Sequence, residues 1–177
     1  MAHWRFDPVD AAGVTIRQVG PDEYDATGRL LVDVYLSEGW GLTAQRDRLL
    51  DVAGAAEEGL LLIAVDRASE VVGTVLLSAF HRLGVHVAVQ GEVELRRLAV
   101  AAGWRGAGVG SSLVDECVAA AVQRGFEAIT LWTRPAMEAA HRLYERRGFA
   151  RTPERDFALP RDDGTAITYR LALRSAE

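Results

Sequence analysis

Lysine and asparagine are both missing from this chain, cysteine occurs once, and long apolar runs are absent. Each gap excludes something. Without lysine there is no Gly-Lys-Ser/Thr phosphate loop of the nucleotide triphosphatase kind. Without asparagine there is no N-glycosylation sequon. The lone Cys117 rules out an internal disulfide and fits a reducing compartment. No 18-residue apolar stretch is present to span a bilayer. The opening residues, among them Trp4, Arg5, Asp7 and Asp10, form no apolar signal core. A soluble, cytoplasmic protein with no membrane partner is the expectation. The four histidines (His3, His81, His86, His141) have no metal-ligand spacing, so no metal is expected. All 20 basic residues are arginine and the formal net charge is -5, which argues against general nucleic-acid binding.

What is present is an ordinary globular balance, 49% hydrophobic and 25% charged, over 177 residues. That length suits a single domain with a real core, 1–177, with 1–13 as an irregular lead-in. The most informative stretch is 94–149. Glu94-Leu95-Arg96-Arg97-Leu98-Ala99-Val100 reads as a strand. Arg105-Gly106-Ala107-Gly108-Val109-Gly110-Ser111 then turns into an Ala/Val/Leu-rich helix over about 108–124, stopped by Gly125. The first N–H groups of such a helix lack intrahelical partners, and the positive end of its dipole faces whatever lies over the turn. Glycines at 106, 108 and 110 let an anion approach the backbone, with Arg105 as an added cation. The pattern predicts a phosphate or pyrophosphate cradle.

A dinucleotide reading fits poorly on two counts. The dinucleotide fingerprint Gly-x-Gly-x-x-Gly is not satisfied, because 106, 108 and 110 give Gly-x-Gly-x-Gly. An acidic ribose partner about 20 residues on is also wanted, and Thr133 and Arg134 stand there instead. An NADP-type site remains formally open.

The order Arg105-x-x-Gly108-x-Gly110 resembles the Arg/Gln-x-x-Gly-x-Gly/Ala loop of the GNAT N-acetyltransferases. About thirty residues on, Ala140-His141-Arg142-Leu143-Tyr144-Glu145-Arg146-Arg147-Gly148-Phe149 resembles that family's second signature, Ala-x-x-Leu-Tyr-x-x-x-Gly-Phe. The likeness is close over 94–149 and loose outside it. It implies an acetyl-CoA-dependent N-acetyltransferase with a primary amine, small-molecule or peptide, as acceptor; a homodimer is left open. A non-catalytic acyl-CoA-binding or regulatory module on the same fold is the alternative.

Periodicity supplies the elements. Val14–Arg17 reads as a short strand, 21–36 as an amphipathic helix carrying Leu31, Val34 and Tyr35, and 44–58 as a helix with Thr43 as its N-cap. Leu60–Asp66 and Val71–Phe80 form a hairpin whose arms could run on into the alternating Val85, Val87 and Val89. Strands follow at 92–100 and 128–133, then a helix from Pro135 to Gly148. From Phe149 onward the chain reads as strands, with 151–173 as two of them joined by a turn at 160–164. About seven strands and four helices agree with the α+β fold that the resemblance implies: a mixed, mostly antiparallel central sheet, splayed between its fourth and fifth strands.

The same resemblance implies roles. Coenzyme A would lie against Leu98, Ala99 and Val100, where a strand bulge frees backbone N–H groups to polarise the thioester. Its phosphates would meet Arg105, Gly106, Ala107, Gly108, Val109, Gly110 and Ser111, with Ala140 and Tyr144 alongside. Tyr144 would be the acid that protonates the departing thiolate. Glu94 stands where some members carry a general base. Strict alternation puts Glu92, Glu94, Arg96 and Leu98 on one face unless a bulge intervenes. A family asparagine is replaced by Met137. The acceptor would enter near Glu38 and Trp40 and near Asp156 and Phe157. The segment 20–60 holds nine acids against three arginines, so an acidic rim drawing a cationic amine is the expectation. Cys117 reads as a small core residue and the arginines from 142 to 155 as a solvated helix face.

Overall fold

The computed structural model describes residues 4–37, 46–79, 87–159 and 164–173. Among the described residues nine strands form the sheet: β1 (Val9–Ala11), β2 (Val14–Gln18), β3 (Leu60–Val65), β4 (Val71–Ser78), β5 (Glu92–Val100), β6 (Ala128–Thr133), β7 (Ala150–Arg151), β8 (Phe157–Ala158) and β9 (Thr165–Ala172). Five α-helices accompany them: α1 (Tyr24–Ser37), α2 (Arg46–Leu50), α3 (Val52–Glu58), α4 (Val109–Gln123) and α5 (Glu138–Arg146). The strand order is β1-β2-β3-β4-β5-β6-β9-β7, with β8 beside β9. All neighbours are antiparallel except β5 and β6. That parallel pair needs a crossover, and α4 supplies it.

The sheet is covered on both faces, as a strand such as β3, buried at all six positions, requires. On one face Leu113, Val114, Cys117 and Ala121 of α4 pack against Leu60, Leu62, Val93, Leu95 and Leu131. On the other, Leu30, Leu31 and Val34 of α1 join Leu49, Val52 and Ala55 of α2 and α3 over Leu61, Leu76 and Ala99. Among the described residues no helix is long and apolar enough to cross a membrane.

Four details differ from the pattern-based expectation. The lead-in is partly ordered: β1 pairs with β2 in the register Val9↔Ile16 to Ala11↔Val14. The helix expected over 44–58 is two helices, broken at Asp51. The Asp51 carboxylate accepts from the Gly54 N–H at 2.9 Å and caps α3, a local bond that competes with helix continuation. The expected N-cap Thr43 lies outside the described residues. β4 ends at Ser78 and β5 begins at Glu92; of the expected extension Val85 lies outside the described residues, and 87–91, with Val87 buried and Val89 exposed, is not strand. Near the end, a 3-10 turn at Pro153–Arg155 interrupts the first of the two expected strands, leaving β8.

Candidate active site

The cleft opens where β5 and β6 part. Their pairing is confined to Glu92↔Ala128, Val93↔Ile129 and Glu94↔Thr130. Beyond it, β5 stays bonded to β4 as far as Val100, and β6 to β9 as far as Thr133. Each strand is held by its outer edge, so their inner edges line a wedge. One wall carries Leu95, Arg96, Arg97 and Leu98 with Tyr35, Arg48 and Leu49 from the helices. The other carries Trp132, Thr133 and Arg134 with Met137, Ala140 and Tyr144.

Within the wedge β5 is bulged. Leu76 faces Arg96 and Thr74 faces Ala99, so one residue of β4 stands opposite two of β5. Arg97 takes the left-handed conformation, φ 53°, to accommodate the extra residue. A bulge leaves a residue out of the ladder and shifts the side-chain alternation by one. Val93 and Leu95 pack in the cluster under α4, and after the bulge so do Leu98 and Val100, whereas Ala99 packs under α1. Glu94 and Leu98 therefore do not share a face.

Glu94 is fully buried. Its carboxylate accepts from the Val87 N–H at 3.4 Å and stands 3.6 Å from Arg96 Nε. Arg96 is also 3.6 Å from Glu58 on α3. Glu94 thus sits at the closed end of the cleft, behind its lining. Glu92, two residues earlier, is the acceptor of an arginine cluster: Arg155 at 2.7 Å and Arg170 at 2.6 Å. Burial pushes its carboxyl up, but these bonds outweigh burial and hold it below the ordinary carboxylate range.

Tyr144 is buried on α5, its ring 5.6 Å from Phe149 and 6.2 Å from Tyr169. Among the described residues its hydroxyl has no hydrogen-bond partner. Burial, with Tyr35 and Cys117 nearby, pushes its pKa well above the usual phenol value, so it stays protonated at neutral pH. Met137 and Ala140 share its face on the cleft. Met137, at the asparagine position, accepts a hydrogen bond on Sδ from Thr133 Oγ1 at 3.2 Å. His141 is employed differently: Nε2 lies 2.9 Å from the Arg134 carbonyl and the ring 5.8 Å from Tyr169, tying α5 to the sheet.

Sequence reasoning missed Tyr35 as a site residue, placing it only on the apolar stripe of the first helix. From α1 its hydroxyl donates to the Leu98 carbonyl at 3.2 Å, at the bulge. Burial raises it to about 12, against the lowering influence of Arg97 and Arg96. The available signal was chemical: a tyrosine on a buried stripe needs a partner for its hydroxyl.

Past Val100 a 3-10 turn (Ala102–Trp104) leads to the glycine loop, which is solvent-exposed from Arg105 to Gly108. Gly108 is the N-cap of α4 at φ 93°, a conformation that strains residues with a Cβ. A side chain on Gly106 would meet nothing within 4 Å, so the space above the loop is open. Gly110 serves packing instead: a Cβ there would lie 3.1 Å from Leu143 and 3.4 Å from Val100. Ala107, Val109 and Ser111 occupy the same turn, and Arg105 Nε donates to the Val100 carbonyl at 3.3 Å. The β1–β2 turn backs the loop, with Ala12 Cβ 3.6 Å from the position of a Gly108 Cβ.

Of the residues expected near the acceptor, Glu38 and Trp40 lie outside the described residues. Asp156 is engaged elsewhere: Arg151 grips its carboxylate at 2.9 and 2.8 Å and the Thr168 N–H donates at 2.8 Å. That grip holds its carboxyl at about 2. Phe157 stacks edge-on against Trp132, 5.8 Å between centroids, behind the cleft wall. Among the described residues no acid of the 20–60 segment lines the cleft, while four arginines do.

A sheet splayed beside a bulged strand, with a glycine loop opening the next helix, defines an acetyltransferase domain. The family model described as Acetyltransferase (GNAT) family matches residues 27–149, and the chain belongs to that family. The zebrafish (Danio rerio) N-acetylaspartate synthetase is 39% identical over 69 residues, which are 38% of this chain and 24% of that protein. The chain thus spans about a quarter of that relative's length. A GNAT acetyltransferase from Staphylococcus aureus superposes with TM-score 0.72 at 16% identity, covering 91% of this chain and 99% of that one. A ribosomal-protein-alanine N-acetyltransferase from Brucella melitensis gives TM-score 0.66 at 18% identity, covering 89% and 99%.

Proposed function

We propose that this protein transfers the acetyl group of acetyl-CoA to a primary amine by direct attack in a ternary complex. The observation that carries the reading is that the bulge and Tyr144 line one cleft from opposite walls, with the glycine loop beyond its open end. The cofactor fits what is there. The exposed loop offers open space over Gly106 and the first N–H groups of α4 for phosphates, with Arg105 beside them. Leu98, Ala99 and Val100 on β5 and Ala140 on α5 would flank the pantetheine.

When bound, acetyl-CoA supplies a thioester carbonyl carbon: the amine nitrogen bonds to it, the C–S bond breaks, and coenzyme A leaves as the thiol. The chain's own part is positioning and proton movement. Backbone N–H groups at the bulge are fixed dipoles for the carbonyl oxygen, where preorganised donors act most strongly. The Tyr144 hydroxyl donates its proton to the departing sulfur. Glu94, set behind the lining, takes the amine proton through water. The zebrafish relative is named for an N-acetylated amino acid, and the Brucella protein for alanine acetylation; both agree with an amine acceptor. Tyr144 on the wall of the same cleft favours this reading over a non-catalytic binding module.

Calorimetric titration with acetyl-CoA, with NADP(H) as control, tests the reading. Acetyl-CoA should bind and NADP(H) should not. Gly108→Asp should weaken acetyl-CoA binding by roughly 100-fold, more than Gly108→Ala, which carries the backbone strain without the charge. NADP(H) binding, or equal affinity in the two variants, would reject it.

A further inference from the structure

The acceptor side of the cleft is cationic. Arg48 of α2 and Arg96 and Arg97 of β5 line it together with Tyr35, and Arg134 stands on the opposite wall. The acidic rim expected from 20–60 does not appear among the described residues, where no acid of that segment lines the cleft; Glu38 lies outside them, and Glu58 is engaged by Arg96. Asp22, Asp25, Asp33 and Asp47 are exposed outside the cleft, and the Asp51 carboxylate caps α3. Resting on the acetyl-transfer reading, we infer that the acceptor is a primary amine that itself carries a carboxylate, with an α-amino acid as the simplest form, and that Arg97 together with Arg48 receives that carboxylate.

The argument turns on how each guanidinium is balanced. Arg96 already has two carboxylates, Glu58 and Glu94, each at 3.6 Å. Arg97 is half-buried beside it, and its Nη1 donates only to the Asp51 carbonyl, at 3.3 Å. Among the described residues no carboxylate lies within ion-pairing distance of Arg97. Burial, reinforced by the neighbouring positive charge of Arg96, holds its pKa below the ordinary arginine value. Glu58, Tyr35 and Asp51 offset part of this at longer range, but burial and Arg96 outweigh them, and an incoming carboxylate would relieve the remaining cost. The guanidinium fork also matches a carboxylate bidentately. Its left-handed backbone at the bulge fixes it beside the place where the thioester carbonyl is polarised. A carboxylate held there brings an amine on the adjacent carbon close to the reacting centre.

The cofactor's phosphates are the other available anions, but their cradle is elsewhere. The glycine loop is backed by Ala12 of the β1–β2 turn, whereas Arg97 reaches the α2–α3 junction at Asp51. The two cationic sites stand on different elements, one suited to phosphate and the other to the acceptor.

Thiol release at saturating acetyl-CoA, measured with L-glutamate, L-aspartate, spermidine and benzylamine, tests the inference, with acetyl-CoA affinity measured separately by calorimetry. At least one of the two amino acids should be turned over with kcat/KM roughly 100-fold above spermidine. Arg97→Gln, and Arg48→Gln on the exposed α2, should each raise the amino-acid KM about 10-fold or more while leaving acetyl-CoA affinity unchanged. Thermal unfolding checks that both variants fold; Arg48→Gln carries the test if Arg97→Gln does not. Preference for spermidine or benzylamine, or acetyl-CoA binding without turnover of any of the four, would overturn it. So would a loss of acetyl-CoA affinity in the arginine variants, which would assign these side chains to the cofactor. Failure of the wild type to bind acetyl-CoA would overturn the parent reading, and this one with it.

Discussion

Replacing Tyr144 with Phe removes one oxygen that has no hydrogen-bond partner among the described residues. Stability and catalysis should therefore separate. The ring keeps its contacts with Phe149 and Tyr169, and no intramolecular hydrogen bond is lost, so unfolding free energy should change by no more than about 0.5 kcal/mol. Tyr144 lines the cleft wall beside Met137 and Ala140, and acetyl-CoA affinity should stay within about threefold, because on the proposed role the proton would be donated only as the C–S bond breaks. Turnover should fall roughly 100-fold or more, the usual worth of a positioned general acid, which corresponds to about 2.7 kcal/mol of barrier. Burial keeps Tyr144 protonated well above neutrality, so its own titration should not set an alkaline limb in the wild-type profile at moderately basic pH. The assay is thiol release with an accepted amine across the pH range, paired with calorimetric binding and thermal unfolding of both proteins. An unchanged kcat at every pH, with intact fold and binding, would refute the acid role.

Two further outcomes test the packing. Glu92 is nearly fully buried between Arg155 and Arg170, so Glu92→Gln leaves two guanidiniums facing a neutral amide and should cost about 3 kcal/mol in denaturant unfolding. Because the folded-state pKa of Glu92 lies below its ordinary value, the ion cluster stabilises the fold above the ordinary carboxylate range. The gap between wild type and variant should therefore narrow as pH falls through the folded pKa; a gap independent of pH would count against the cluster. Cys117 is completely buried, with its thiol pushed up mainly by burial. Native protein should resist a thiol reagent that titrates one equivalent after denaturation; rapid native labelling would contradict the packing of α4.

The parts of the site legible in the sequence are those made by consecutive residues. The loop from Arg105 to Ser111 reads directly because backbone geometry there depends on which positions lack a Cβ, and Gly108 takes the left-handed conformation that such a turn needs. The α5 face reads because Met137, Ala140 and Tyr144 recur at helical spacing. The wall proposed for the acceptor did not read, because it is assembled from α1, α2 and β5, segments far apart in the chain. Counting the acids of 20–60 suggested an acidic wall, whereas among the described residues arginines line it. Charge on a helix surface says nothing about direction, and Asp51 shows why: it lends its carboxylate to a cap and its carbonyl to Arg97.

The bulge shows the deeper limit. Period-two reading of Glu92 to Leu98 assumes an unbroken ladder, and a single extra residue inverts every position after it. Nothing in the local composition marks Arg97 as the residue to adopt a positive φ, since arginine has no special tolerance for it. The conformation is imposed from outside. β4 holds the strand on both sides of the defect, at Leu76↔Arg96 and Thr74↔Ala99, while β6 departs after Glu94↔Thr130. With no neighbour on its inner edge, the strand can accommodate an extra residue without breaking a second ladder. The splay therefore makes room for the bulge, and the bulge turns Leu98 and Val100 to the α4 side while Arg96 and Ala99 face α1 to α3. One irregularity thus separates an apolar face from a charged one, the faces proposed for the pantetheine and for the acceptor.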